Sequence, residues 1–335
     1  MRLETLAVPE ALGTILMHNV ADDAGTKVLK KGIRLTEEHL AQLAEMGRAT
    51  VDVAVLEKGD LHEDEAAMSL AVALKTEHMT LSRPAGGRVN LRTQMDGLLQ
   101  VEADRLLELN MIPGIGVGTR RQNSVVGPNQ ETDNIATVKI IPFAIQQRLL
   151  DGALELAHRR PRIVDLRPFQ PGRQAAMLLV GEPSVHDKLA ETFLSATRAR
   201  LAGLAAQLVA TEAVVQEEQA IGQAAARLLE AADLLIIAGQ TSIMDEDDTT
   251  LRALRAIGAE STLSGTPVEP GNLLALAYFP GKAVVCAPGS AQSLKRNVMD
   301  LVLPRLLLGD RLERRDIAAL GLGGFLTAAE RGGAV

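Results

Sequence analysis

The spacing of apolar and polar positions divides this chain into three patterned regions. In the first, about residues 1–80, short strands and helices mix. Thr36-Glu37-Glu38-His39 marks a helix start, with threonine as N-cap and His39 in the slot where a capping box prefers glutamate. Leu40, Leu43 and Met46 carry the helix to Gly47, the residue type favoured just past a helix end. Thr50–Leu56 alternates as a strand does, and a second amphipathic helix is predicted over Glu63–Lys75.

The second region, about 84–145, is punctuated by Gly86-Gly87, Pro113-Gly114 and Gly127-Pro128-Asn129. Short apolar runs at Arg88–Leu91, Ile115–Thr119 and Ile135–Ile141 lie between these turns and predict a compact β-rich module, with Val101–Leu109 as a helix. Pro161–Arg173, rich in proline and arginine, reads as a linker. The third region, about 174–310, has short apolar runs at Met177–Val180, Leu234–Ala238 and Ala283–Ala287, each ending in Gly or Pro. Helical patterns at Lys188–Leu208, Gln216–Ala232 and Asp248–Ile257 separate them. Continuous apolar strands joined by crossover helices predict an α/β domain on a parallel sheet. Residues 311–335 form a tail beyond it.

Composition narrows the function. At 335 residues the chain can build two or three cores, and 47% hydrophobic with 23% charged residues is the balance of a globular protein. Leu301–Leu308 is the most apolar stretch, but it is short and interrupted by Pro304 and Arg305, so no membrane span is expected. Met1-Arg2-Leu3-Glu4 has an acidic residue where a signal peptide would be basic and lacks the apolar run that should follow, which predicts a cytoplasmic protein. The single Cys286, inside an apolar run, excludes an internal disulfide and reads as a buried strand residue. A net charge of −7 and 2% aromatics disfavour a nucleic-acid groove. The histidines at 18, 39, 62, 78, 158 and 186 show no ligand spacing.

In open parallel sheets, ligands sit beyond the carboxyl ends of the strands, so the loops leaving them carry the candidate chemistry. Gly181-Glu182-Pro183-Ser184 reads either as a helix-entry turn or as an anion contact through Ser184 and free N–H groups. Gly239-Gln240-Thr241-Ser242 offers small and hydroxyl residues, and Asp245, Glu246, Asp247 and Asp248 follow. Like charges do not hold phosphate, so these carboxylates read either as Mg²⁺ ligands bridging to phosphate or, at Asp248, as a helix cap. Pro288-Gly289-Ser290-Ala291-Gln292-Ser293 reads as a turn opening a serine-rich helix start, with Lys295, Arg296 and Asn297 beyond it. Lys295 and Arg296 read either as anion contacts or as a solvated face. Two prolines and two glycines make Gly265–Asn272 a rigid loop.

In this order the loops resemble the molybdenum-cofactor biosynthesis domain shared by molybdopterin adenylyltransferases, molybdopterin molybdotransferases and the gephyrin E region. The molybdotransferase pattern Ser-Gly-Gly-x-Ser-x-Gly-Asp-x-Asp is matched by Gly239, Ser242, Asp245 and Asp247, while Ala238, Gln240 and Met244 depart from it. Pro270-Gly271-Asn272-Leu273 meets the family's Pro-Gly-Lys-Pro segment without its lysine, and Pro288–Ser293 meets its Pro-Gly-Asn-Pro-x-Ser loop. Ala11–Leu16, Lys31–Thr36 and Ala136–Phe143 resemble molybdopterin-binding proteins that are in some cases fused to a cytidylyltransferase, a fusion this sequence does not contain.

The resemblance implies a three-layer α/β domain that binds molybdopterin or its nucleotide form. It assigns the contacts to Gly181, Glu182, Ser184, Gly239, Gln240, Thr241, Ser242, Pro270, Gly271, Asn272, Pro288, Gly289, Ser290, Ser293 and Lys295. It implies Mg²⁺ at Asp245 and Asp247, and homo-oligomers. Three functions follow: a cofactor carrier serving a nucleotidyltransferase or an apo-molybdoenzyme of the hydroxylase type; a molybdotransferase- or adenylyltransferase-like enzyme; or an interaction module that has lost the ligand. Gln240 and Met244 in place of glycines crowd the phosphate approach, which favours the carrier.

Overall fold

The computed structural model describes residues 1–128 and 133–326; Asn129 of the Gly127-Pro128-Asn129 turn and the end of the tail lie outside them. The chain divides into two compact units, Met1–Arg167 and Pro168–Val335.

The first unit is built from small antiparallel sheets and short helices. Arg2–Ala7 pairs with Thr50–Val55, which also takes Ile15–Leu16. A helix spans Glu37–Glu45 with Thr36 as its cap: the His39 N–H donates to Thr36 Oγ1, and the Thr36 N–H donates to His39 Nδ1. The histidine thus fills the role of the usual glutamate by offering a ring nitrogen as acceptor. The expected strand segments appear within a four-stranded sheet as Arg88–Thr93, Ile115–Thr119 and Asn134–Ile140. The helix Glu63–Leu74 buries Leu70 and Leu74 in one core with Val89, Leu91, Val138 and Ile140. Two expectations are corrected. Val101 ends the strand Gly97–Val101, and the helix begins after it at Ala103–Asn110. The stretch read as a linker does hold the boundary between the two units, but it contains the strand Val164–Pro168, which joins Gly97–Val101 in a three-stranded sheet. Its alternation of buried Val164 and Leu166 with more exposed neighbours outweighs the flanking prolines.

The second unit is α/β, as the apolar runs predicted. Its strands are β1 (Arg173–Val180), β2 (Ala206–Val214), β3 (Leu234–Gly239), β4 (Ser261–Ser264), β5 (Ala275–Phe279) and β6 (Lys282–Ala287), in the order β2-β1-β3-β6-β5-β4. The first four in that order are parallel; β5 and β4 are antiparallel additions at one edge. Between the strands run α1 (His186–Ala202), α2 (Glu218–Ala231) and α3 (Thr249–Ala256), and α4 (Met299–Leu307) follows β6. Ile221, Leu228, Leu251 and Leu254 of α2 and α3 pack on Leu178, Val180, Leu235 and Ile237. Residues alternate across a strand, so the equally buried Met177 and Leu179 face the other side. There α1 packs on β1, β2 and β3, which makes three layers. Each such aliphatic side chain contributes roughly 1.5–3 kcal/mol on burial.

The helical pattern read to Leu208 ends earlier. Gly203, Leu204 and Ala205, the last with φ of +55°, turn the chain, and Ala206–Val214 becomes the edge strand β2. Pairing with β1 along the edge decides this segment, where helical propensity alone misleads. Cys286 is buried in β6, and burial pushes its thiol up to about 12. No helix among the described residues is long and apolar enough to cross a membrane.

Candidate functional site

The register of the parallel strands levels three loops with one another. Val180 lies opposite Gly239, and Ala238 lies opposite Ala287, so the chain leaves β1, β3 and β6 along one edge. Ala275 pairs with Cys286 near the end of β6, which brings the β4–β5 loop, residues 265–274, to the same edge.

The loop after β1 is tied to the loop after β3. Gly181 is buried, and a Cβ there would lie 3.0 Å from Val185 Cγ2 and 3.1 Å from Gln240 Cβ. Its N–H donates to the Val214 carbonyl at 3.0 Å. His186 Nε2 sits 2.8 Å from the Gly181 carbonyl and 3.3 Å from that of Val214; carbonyls only accept, so this nitrogen carries the proton. The Glu182 N–H donates to Gln240 Oε1 at 3.2 Å, while the side chains of Glu182 and Ser184 are exposed. Gln240, one of the departures from the family pattern, therefore acts as a strut between two loops.

In the second loop, the Gln240 N–H returns to the Val180 carbonyl at 2.8 Å. Thr241 Oγ1 accepts from Gln216 Nε2 at 3.4 Å, and Met244 is 72% exposed. Asp245 Oδ1 accepts the Asp247 N–H at 2.8 Å, closing a local turn. Asp248 is the helix cap: its Oδ1 accepts the Thr250 N–H at 2.8 Å. Asp247 is 87% exposed at its side chain, with Arg252 Nη1 4.0 Å from its Oδ2. Arg252 and Arg255 also donate to the backbone carbonyls of Asp247 and Glu246.

The third loop differs from its expectation. Gly289–Gln292 is a single 3-10 turn, and the next helix starts only at Met299. The reason is Arg200, a buried residue of α1 whose side chain is 3% exposed. Its Nη1 donates to the Ala291 carbonyl at 2.9 Å, and its Nη2 donates to the Ser293 carbonyl at 2.6 Å and the Lys295 carbonyl at 3.2 Å. Those are acceptors that a continuing helix would need for itself. Arg200 Nε donates to Asp300 Oδ1 at 2.9 Å, and Asp300 Oδ2 accepts the Asn297 N–H at 2.8 Å. Asn297 is fully buried and braces the loop instead of lining it. Its Nδ2 donates to the Ser290 and Lys295 carbonyls, and its Oδ1 accepts the Met299 N–H. Arg200 and Asp300 escaped sequence reasoning. The available signal was Arg200 falling on the buried stripe of Leu189, Phe193, Ala196 and Thr197.

Two consequences follow for an anion. A short 3-10 turn supplies little helix dipole, so hydroxyls and Lys295 must do more of the holding. Ser293 Oγ accepts the Lys295 N–H at 3.1 Å, and the Lys295 side chain is exposed. Ser290 Oγ is buried with no hydrogen-bond partner among the described residues. A buried hydroxyl without a partner is costly and calls for a ligand or water atom.

The loops meet one another at specific points. A Cβ on Gly289 would lie 3.8 Å from Ser242 Oγ, so the second and third loops run close to each other there. Pro270 accepts the Val298 N–H at 3.2 Å, and Gly271, with φ of +131°, approaches so closely that a Cβ would sit 2.6 Å from Val298 Cβ. Thr266 holds both sides of that turn: its Oγ1 donates to the Gly271 carbonyl and its N–H to that of Asn272, whose side chain is exposed. Among the described residues, Asp245 and Asp247 bond only within their own segment and to Arg252. Among the described residues, no group of three or more His, Cys, Asp or Glu could by itself hold a metal ion. Two exposed carboxylates do suit Mg²⁺, which keeps several waters and binds through one or two carboxylates plus ligand phosphate.

Residues 176–307 match the family described as "probable molybdopterin binding domain". The second unit carries a domain of this family. A further family, described as a domain of unknown function (DUF8806), matches residues 5–55. No curated protein sequence matches the chain. Among solved structures, it is similar to the molybdopterin biosynthesis enzyme MoaB of Thermus thermophilus at 19% identity and a TM-score of 0.32, covering 42% of this chain and 99% of that one. It is similar to the molybdopterin biosynthesis MoeA protein of Pyrococcus horikoshii at 11% identity and a TM-score of 0.32, covering 94% and 75%. A third likeness is to CinA of Thermoplasma acidophilum, a protein of unknown function, at 18% identity and a TM-score of 0.31, covering 36% and 90%.

Proposed function

We propose that the second unit binds molybdopterin, or its nucleotide form, at the carboxyl edge of its sheet and that the protein serves as a carrier in molybdenum-cofactor biosynthesis. The family match to residues 176–307 supports the ligand. The observation that carries the reading is the orphaned Ser290 Oγ, within a loop fixed by Arg200 and Asn297 beside Ser242. In this reading Ser290, Ser293 and Lys295 take the pterin phosphate. Gly181, Glu182, Ser184, Gly239, Thr241 and Ser242 border the pocket, and Pro270, Gly271 and Asn272 close its far side. Asp245 and Asp247 hold Mg²⁺, which when bound neutralises phosphate charge.

Binding without turnover follows from the second loop. Gln240 occupies the junction with Gly181 and Glu182, where the family pattern has a glycine that leaves backbone open to phosphate. The carrier then delivers to a nucleotidyltransferase or an apo-molybdoenzyme in the cytoplasm, and assembles with copies of itself through this unit. The competing reading is a molybdotransferase-like enzyme, favoured by the retention of Asp245 and Asp247. The test is incubation of the full chain with molybdopterin, with and without ATP, Mg²⁺ and molybdate. Retained pterin without nucleotide-dependent product supports the carrier; an adenylylated or molybdate-loaded product supports the enzyme. Absence of retained pterin at micromolar protein sinks both readings.

A further inference from the structure

The first unit contains a cleft of about 480 Å³ that the sequence reading did not single out. Lys30, Lys31 and Arg34 line one side, and His62, Asp64 and Glu65, at the start of the helix Glu63–Leu74, line the other. Among the described residues, none of the three cations forms an ion pair with a carboxylate, and neither do Asp64 and Glu65. Opposite charges share one cleft here without neutralising each other.

The walls are held apart by a built floor. Glu63 is 4% exposed; its Oε2 accepts the Phe143 N–H at 3.1 Å and lies 3.7 Å from Lys139 Nζ. Two glycine turns close on this carboxylate. A Cβ on Gly32 would lie 2.8 Å from Glu63 Oε1, and one on Gly87 would lie 2.7 Å from Oε2. The flanking residues clamp the same turns: His62 Nε2–H donates to the Gly32 carbonyl at 3.1 Å, and Asp64 Oδ1 accepts the Gly87 N–H at 2.6 Å. Three consecutive residues thus fix the lysine-bearing turn on one side and the Gly86–Gly87 turn on the other. The lysine ammonium groups, the Glu65 carboxylate and the second carboxylate oxygen of Asp64 remain for a ligand.

We propose that this cleft binds a small phosphate ester whose opposite end donates hydrogen bonds. Lys30 and Lys31, with Arg34 beside them, take the phosphate, and Asp64 and Glu65 read an amino or amide N–H edge. The volume falls within the range of small-molecule pockets, about 300–1,000 Å³, which suits a mononucleotide-sized ligand. The site belongs to the first unit and does not rest on the molybdopterin reading of the second.

Calorimetric titration of the full chain with GMP, IMP and inorganic pyrophosphate tests the proposal. GMP and IMP differ in the exocyclic amine, and pyrophosphate carries only the anionic half. The expected order is GMP tighter than IMP. Lys30→Gln/Lys31→Gln, at exposed positions, weakens GMP and pyrophosphate by at least about tenfold. Glu65→Gln weakens GMP but leaves pyrophosphate bound. Asp245→Asn/Asp247→Asn, in the second unit, leaves all three unchanged. Failure of every probe to bind at millimolar concentration overturns the proposal. So does affinity indifferent to the lysine change, or affinity lost only in the aspartate variant. Equal binding of GMP and IMP, unaffected by Glu65→Gln, overturns the assignment of the carboxylate half.

Discussion

Pro288–Asn297 and Gln240–Asp247 leave neighbouring strands of one sheet, yet they are held by opposite means. The first is gripped from beneath: Arg200 and Asn297, both buried, satisfy the carbonyls of Ser290, Ala291, Ser293 and Lys295. The second is held from outside, by Arg252 and Arg255 on its carbonyls and by a turn between Asp245 and Asp247. A loop braced through buried charge keeps a fixed shape before any ligand arrives, which is what a phosphate grip requires. A loop whose acidic side chains stand in solvent can rearrange around an ion at little cost. The contrast teaches that the first loop's rigidity comes from buried side chains, Arg200 reaching in from α1 and Asn297 at its own end, more than from its glycine and proline.

The sharpest way to break the comparison is to remove the brace. Arg200→Met leaves Asp300 without its cation and at least two carbonyls without donors. The expected loss is about 3–5 kcal/mol for the second unit, read as a lowered urea midpoint. Arg200→Lys is expected to recover only part of it, because one ammonium cannot replace the guanidinium fork that reaches Asp300 and three carbonyls. Asn297→Leu comes next, at about 1–3 kcal/mol, since it strands the Met299 N–H and leaves the Ser290 carbonyl with the Ser293 N–H alone. If either variant unfolds like the wild type, the loop is not held as described.

Arg200 and its partner Asp300 also mark where sequence reading stopped. The strands β1, β3 and β6 were legible because strands buried on both faces are written as unbroken apolar runs. The capping roles of Thr36 and Asp248 were legible because caps are local. The loops that meet at the edge could be named from their glycine, proline and serine content. Arg200 could not be joined to residues about a hundred positions away, because nothing local distinguishes an arginine that reaches a distant carbonyl from one that reaches water. The same blindness turned a 3-10 turn into an expected helix start, and it hid the edge strand Ala206–Val214, whose alanines favour helix until β1 pairs with it.

Smaller effects sharpen the contrast from the ligand side. Ser290→Ala removes a buried hydroxyl that has no partner among the described residues, so stability is expected to change by less than about 0.5 kcal/mol. Pterin affinity should fall by about tenfold, a separation of binding from stability that a merely structural serine would not produce. Asp245→Asn/Asp247→Asn is expected to shift thermal stability least, within about 0.5 kcal/mol, because both side chains are exposed. In that variant Mg²⁺ should no longer tighten pterin retention; a variant that still responds to Mg²⁺ as the wild type does would place the ion elsewhere.

The central claim is that the carboxyl edge of the second unit binds molybdopterin through the braced loop. The direct measurement is a titration of molybdopterin into wild-type and Ser290→Ala full-length protein, scored by pterin fluorescence after separation and oxidation. The account predicts saturable retention by the wild type and about tenfold weaker retention by the variant, with both proteins equally folded. Equal retention by the two, or none by the wild type, contradicts it.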